Sequence, residues 1–123
     1  MNVRQWVPPI LWAAFILVLT SIPGADLPRV GFHSSDKLVH ATMYGIFAWL
    51  ATRSLLRTGR PVRYAILLVV LGIALFGALD EWHQQFIPGR SMDSFDWMAD
   101  ISGAVIGAFA AAVALRVREG KQA

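Results

Sequence analysis

Four apolar runs follow one another along the chain, each too long and too uniformly apolar to be one buried face of a soluble helix. The first, residues 6–22, holds no charge at all. The second runs over residues 36–56 and is uncharged from Ala41 to Thr52; the third, 64–86, is uncharged through Leu79; the fourth, 93–115, is uncharged from Ile101 onward. A soluble four-helix bundle would need a polar stripe at helical spacing on every helix. Residues 66–79 and 101–115 have none.

Crossing a hydrocarbon core of about 30 Å takes about 20 helical residues. The uncharged cores of the last three runs are shorter, at 12, 16 and 15 residues, so each helix must carry part of a polar end into the membrane. The expectation is an all-α polytopic membrane protein: a single domain over residues 1–123, with four transmembrane helices arranged as two hairpins in one bundle. A hydrophobic share of 56% and a charged share of 15% agree, and exclude a disordered chain. There is no cysteine, hence no disulfide framework, thiolate nucleophile or Cys-ligated zinc.

The net charge of +3 and pI of about 10.0 would by themselves suggest a protein that seeks anions such as nucleic acid. Their placement says otherwise. With four spans, Arg4, Arg53, Arg57, Arg60, Arg63, Arg116, Arg118 and Lys121 share one side with Glu119, net +7. The other side holds Arg29, Lys37 and Arg90 against Asp26, Asp36, Asp80, Glu81, Asp93, Asp96 and Asp100, net −4. Short loops rich in Lys and Arg stay in the cytoplasm. Both termini are therefore expected inside, and no nucleic-acid partner is expected. Run one, preceded by Arg4, could also serve as the apolar core of a secretory signal cleaved after Ala25. Pro23 fits such a site poorly, so the run is read as a retained span.

The two outer connections share a pattern. Ile22-Pro23-Gly24 leaves the first span and Ile87-Pro88-Gly89 the third, where Pro stops a helix and Gly relieves the turn. A helix start with an acid and a second polar residue four positions on follows each: Asp36 with His40, and Asp96 with Asp100. Asp36, His40 and Tyr44 share one helix face, with Lys37 beside them. Asp80 and Gln84 share another, with Glu81 and Gln85 on a neighbouring face and His83 between them. Asp93, Asp96 and Asp100 line the fourth helix, preceded by Arg90, Ser91 and Ser94. All lie at one depth near the outer surface. An ionisable group inside a span costs about 2.5–3.5 kcal/mol, so such a collection reads as a functional site facing the bundle interior. The purely structural alternative is that Arg90 and Lys37 neutralise Asp80, Glu81 and Asp96, while Asp36, Asp93 or Asp96 cap helices.

The segment Asp36-Lys37-Leu38-Val39-His40 with Tyr44, then Asp80-Glu81-Trp82-His83-Gln84, then Pro88-Gly89-Arg90, Asp96, Gly103 and Gly107 resembles the pattern of VanZ-like proteins. The resemblance runs from about Ile22 to Gly107. Those proteins are small bacterial membrane proteins, named for one associated with resistance to the glycopeptide teicoplanin. The resemblance implies a multi-pass protein of the bacterial cytoplasmic membrane with an envelope role, and it marks Asp36, Lys37, His40, Tyr44, Asp80, Glu81, Gln84, Arg90 and Asp96. The family pattern commonly has Asn where Asp100 stands here.

Three function classes follow. In the first, an anionic lipid or lipid-linked cell-wall precursor binds at the outer leaflet: Arg90 and Lys37 grip phosphate, His40, Tyr44 and Gln84 add donors, and Asp80, Glu81 and Asp96 orient the cations or accept from sugar and peptide groups. The second is an enzyme at the same surface, with His40 held by Asp36 as general base or acid and Glu81 as its complement. A metal-assisted version would use Asp80, Glu81, Asp96 and Asp100, with His83 beside them, although no metal motif is present and no cofactor is expected. The third is a non-catalytic assembly protein. Ala99, Gly103, Gly107 and Ala111 form a small-residue stripe suited either to packing within the bundle or to a homodimer through Gly103 and Gly107. Trp6, Trp12, Trp49, Tyr64, Trp82 and Trp97 fall near predicted span ends, as interface anchors do.

Overall fold

The computed structural model describes residues 2–26 and 33–122, and no strand occurs among them. The chain is all-α, as its apolar runs require. A 3₁₀ turn, Val3–Trp6, is capped by the Asn2 side chain, which accepts the Arg4 N–H at 3.1 Å. It leads into α1 (Val7–Thr20), with Pro8 and Pro9 in the first turn, where a missing N–H leaves no bond unmade. A 3₁₀ turn at Gly24–Asp26 follows, then α2 (His33–Leu56), α3 (Val62–Gln84) and α4 (Ser94–Gln122). Between α2 and α3, Gly59 takes the left-handed conformation (φ +80°) and Pro61 ends the turn.

The helix bounds differ from the apolar runs in informative ways. α2 begins at His33, three residues before Asp36, which lies in its first turn. α4 begins at Ser94, with Asp93 just before it accepting the Phe95 N–H at 2.8 Å. It continues past Leu115 to Gln122, because Arg-Val-Arg-Glu after Leu115 contains no breaker.

Among the described residues, three helical stretches are long and apolar enough to cross a membrane: Val3–Thr20, Val62–Gln84 and Ser94–Arg118. α2 is also long, at 24 residues, but His40, Thr42, Tyr44, Thr52, Arg53 and Ser54 dilute its apolarity. Large apolar side chains such as Ile10, Val18, Leu71, Leu75, Ile106 and Phe109 point outward, while Asp80, Glu81 and Asp100 are buried. An apolar exterior around a polar interior is the arrangement of a membrane protein.

The interior is built on contact between α2 and α4. Gly103 lies against the backbone of Ala41 and Gly107 against that of Gly45, so closely that a Cβ on either would overlap a carbonyl. The small-residue stripe therefore packs within the chain. Ile16, Met43, Tyr44, Ala48, Val69, Ile73, Ala104 and Ala108 form the main apolar core, and Leu56, Ala65 and Ala112 a smaller one at the other end. Two of the tryptophans expected as interface anchors point inward instead. Trp12 donates Nε1–H to the Met43 carbonyl and Trp97 to that of Ala74, both at 2.8 Å, tying α1 to α2 and α4 to α3.

The two Ile-Pro-Gly connections are partners. Gly24 donates its N–H to the Pro88 carbonyl at 2.9 Å, and a Cβ on Gly24 would overlap the carbonyl of Gly89, which takes φ +73°. This junction joins the C-terminal ends of α1 and α3, beside the polar residues.

Candidate functional site

Every helix contributes to one polar cluster beneath that junction. Its floor is Asp80 on α3, 2% exposed, whose carboxylate accepts from Thr20 Oγ1 on α1 at 2.7 Å, from Tyr44 on α2 at 3.0 Å and from Gln84 Nε2 at 3.3 Å. Three neutral donors from three helices solvate this charge, so it needs no cation to remain buried. Thr20 is the one member that sequence reasoning missed. It carries no signal beyond lying near the C-terminal end of the first run.

Above it, His40 Nδ1 lies 2.9 Å from Asp100 Oδ1, with both side chains buried, and His40 Nε2 lies 3.7 Å from Asp96 Oδ2. The imidazole thus bridges the second and third acids of the α4 row. Toward the surface, Lys37 pairs with Asp93 at 3.0 Å and with Asp96 at 2.5 Å. Asp93 lies in the connection before α4; Lys37 and the N–H of Phe95 hold its carboxyl below the ordinary aspartate range. Glu81, 3% exposed, accepts the Asp93 N–H at 3.0 Å and so fastens this connection to α3.

Arg90 does not face the acids. Its Nε donates to the Ile22 carbonyl at 3.1 Å, Nη2 to the Leu19 carbonyl at 3.1 Å and Nη1 to Gln84 Oε1 at 3.4 Å. A planar fork of donors is well suited to closing the carbonyl end of α1. The guanidinium is committed to the fold, whereas the sequence assigned it to phosphate or to neutralising carboxylates. Of the other expected site residues, the structure brings Lys37, His40, Tyr44, Asp80, Glu81, Gln84, Asp96 and Asp100 together, and Asp36 lies on the exposed rim.

Among the described residues, two sets of side chains place three potential metal-ligating atoms within 4.8 Å of one another: Asp36, His40 and Asp96 at the rim, and His40, Glu81 and Asp100 in the interior. His40 belongs to both. Asp80 and His83, which the sequence grouped with the metal candidates, belong to neither set. A cavity of about 200 Å³ lined by Ala78, Glu81, Met92, Asp93, Ser94 and Trp97 reaches Glu81 between α3 and α4. A longer apolar groove of about 560 Å³ runs along α2 and α4 from Leu38, Ala41 and Thr42 to Trp49, Ile106 and Gly107.

No curated protein and no solved structure matches the chain. The model of the VanZ/LLP1 family matches residues 12–115, a stretch that takes in parts of all four helices, both Ile-Pro-Gly connections and every member of the polar cluster. A match over most of the length, with the expected motifs folded into one site, places this membrane protein in the VanZ/LLP1 family.

Proposed function

We propose that this VanZ-like protein crosses the bacterial cytoplasmic membrane four times with both termini inside, and that its polar cluster receives the headgroup of an anionic lipid or lipid-linked cell-envelope precursor at the outer leaflet. The groove along α2 and α4 carries this reading. It is apolar, faces outward, and begins at Leu38, the residue next to Lys37. An acyl or isoprenoid chain in the groove would bring its headgroup to Lys37, Asp93 and Asp96. Two of the three ammonium protons of Lys37 are taken by Asp93 and Asp96, which leaves one for a phosphate oxygen. The carboxylates around it accept from sugar hydroxyls or peptide amines. Charge sorting supports the orientation, since the arginine-rich α2–α3 connection and the basic end of α4 lie opposite the acidic cluster.

The test is the lipid content of purified protein, read by mass spectrometry. Wild type is expected to retain a phospholipid or lipid-linked precursor that Lys37→Ala retains at one tenth the level or less. Equal lipids in kind and amount in both would refute the reading. Sequestration of a precursor also predicts raised teicoplanin tolerance on expression, as the family name suggests.

One observation favours a second reading, an acid/base enzyme on the same substrate. The buried His40–Asp100 contact orients the imidazole as carboxylate partners do in proton-transfer sites. Turnover of a lipid-linked substrate that vanishes in His40→Ala, with lipid retention unchanged, would establish it over binding alone.

A further inference from the structure

The cluster is acid-rich in a way its own cations do not correct. Asp80, Glu81, Asp93, Asp96 and Asp100 converge there, Lys37 serves Asp93 and Asp96 at the surface, and Arg90 is turned toward carbonyls. Asp80 is satisfied by three donors. Glu81, which accepts the Asp93 N–H at 3.0 Å and Gln84 Nε2 at 3.5 Å, and Asp100 then remain in the interior with one imidazole beside them. Asp100 is 1% exposed, and among the described residues its Oδ2 has no hydrogen-bond partner. A carboxylate oxygen taken from water with no donor is costly. That oxygen faces α3: a Cβ on Gly77, one helical turn below Glu81, would lie 3.1 Å from it.

We propose that His40, Glu81 and Asp100 hold a divalent cation, of the Mn²⁺ or Zn²⁺ class, in the interior of the outer half of the bundle. The three donors come from three different helices, α2, α3 and α4, and their ligating atoms lie within 4.8 Å of one another. With metal–ligand bonds of about 2.0–2.4 Å, two donors on one ion are separated by at most about 4–5 Å. The 2.9 Å between His40 Nδ1 and Asp100 Oδ1 is as suitable for neighbouring positions on one ion as for a hydrogen bond. Two carboxylates balance the charge of the ion, and the imidazole selects against Mg²⁺ and Ca²⁺, which prefer oxygen alone. The interior set is preferred to the rim set because Asp96 is already paired with Lys37 and Asp36 is exposed.

Three protein ligands leave coordination positions open, and the cavity lined by Glu81, Asp93, Ser94 and Trp97 gives access to them. Resting here on the lipid-headgroup reading, the ion bridges the acidic site to a phosphate that these carboxylates would otherwise repel. Asp96, 3.7 Å from His40 Nε2, orients the ring as outer carboxylates commonly do for metal-bound histidine.

The experiment uses the full chain in nanodiscs, stripped with chelator, then titrated with Mn²⁺ followed by the paramagnetic signal of the free ion, with Zn²⁺, Mg²⁺ and Ca²⁺ as competitors. One Mn²⁺ per chain is expected, displaced by Zn²⁺ and not by equimolar Mg²⁺ or Ca²⁺. Glu81→Gln and Asp100→Asn should each weaken binding at least tenfold, and Asp26→Asn, an exposed acid at the same end, should leave it unchanged. Thermal melts identify any variant that has failed to fold; Glu81→Gln serves if Asp100→Asn does not. Absence of saturable binding, or equal binding in folded Glu81→Gln, overturns the proposal. Lipid retention is measured on the same samples. An ion bound without retained lipid refutes the headgroup reading and leaves the ion site standing; lipid retained equally with and without chelator, and no ion bound, does the reverse.

Discussion

Gly103 on α4 lies so close to Ala41 on α2 that a side chain on the glycine would meet the Ala41 carbonyl. The two helices that carry Lys37, His40, Asp96 and Asp100 are thereby held at backbone distance, and the polar contacts between them depend on it. Gly103→Ala is expected to destabilise the protein by about 1–3 kcal/mol, since backbone must move to admit the methyl group. Gly72→Ala is the matched control, because nothing lies within 4 Å of its added Cβ and helix propensity favours Ala. Thermal unfolding in detergent separates them; equal melting temperatures would contradict this packing.

Arg90 closes the end of α1 through the Leu19 and Ile22 carbonyls and ties it to Gln84 Oε1 on α3. Arg90→Lys keeps the charge and loses the fork, so it should cost about 1–3 kcal/mol and increase proteolytic cutting in the two Ile-Pro-Gly connections. A residue serving only to attract phosphate would tolerate the change with little effect on unfolding.

Tyr44→Phe and Thr20→Val each delete one donor to buried Asp80 while nearly preserving shape. Each should lower stability by about 1–2 kcal/mol, and the double variant by more than their sum, since only Gln84 would then solvate the carboxylate. Strict additivity in a double-mutant cycle would show that the donors act independently.

The Lys37–Asp93 pair carries a pH signature. Asp93 titrates lower in the folded chain than its ordinary value of 3.8, so the stability it contributes is present above that value and is lost as pH falls below it. Wild type should therefore lose stability on acidification below about pH 4, and Lys37→Ala should lose less over the same interval. The comparison needs only melting temperatures from pH 6 to pH 3.

Several features were legible because each follows from local chemistry. Runs without polar stripes require apolar surroundings on every side, and Pro-Gly pairs mark where helices stop. Spacing by four places Asp36, His40 and Tyr44, or Asp80 and Gln84, on common faces. The helix ends were less legible at α4, where residues beyond Leu115 are polar yet remain good helix formers. The Ile-Pro-Gly likeness was visible as a pattern, but its meaning, two connections packed glycine against glycine, was not.

By itself, then, the sequence determined an all-helical chain, its apolar exterior and the gathering of acids at one end. Tertiary structure decided the partners. A helix apolar all round carries little information about its rotation relative to its neighbours, so spacing could not tell that Arg90 would turn to the carbonyls of Leu19 and Ile22. Nor could it tell that Thr20 would serve Asp80, or that Gly103 would lie against Ala41 of α2. Close approach at Gly103 and Gly107 set α4 against α2, and the packing of α3 on both leaves the ligating atoms of His40, Glu81 and Asp100 within 4.8 Å of one another.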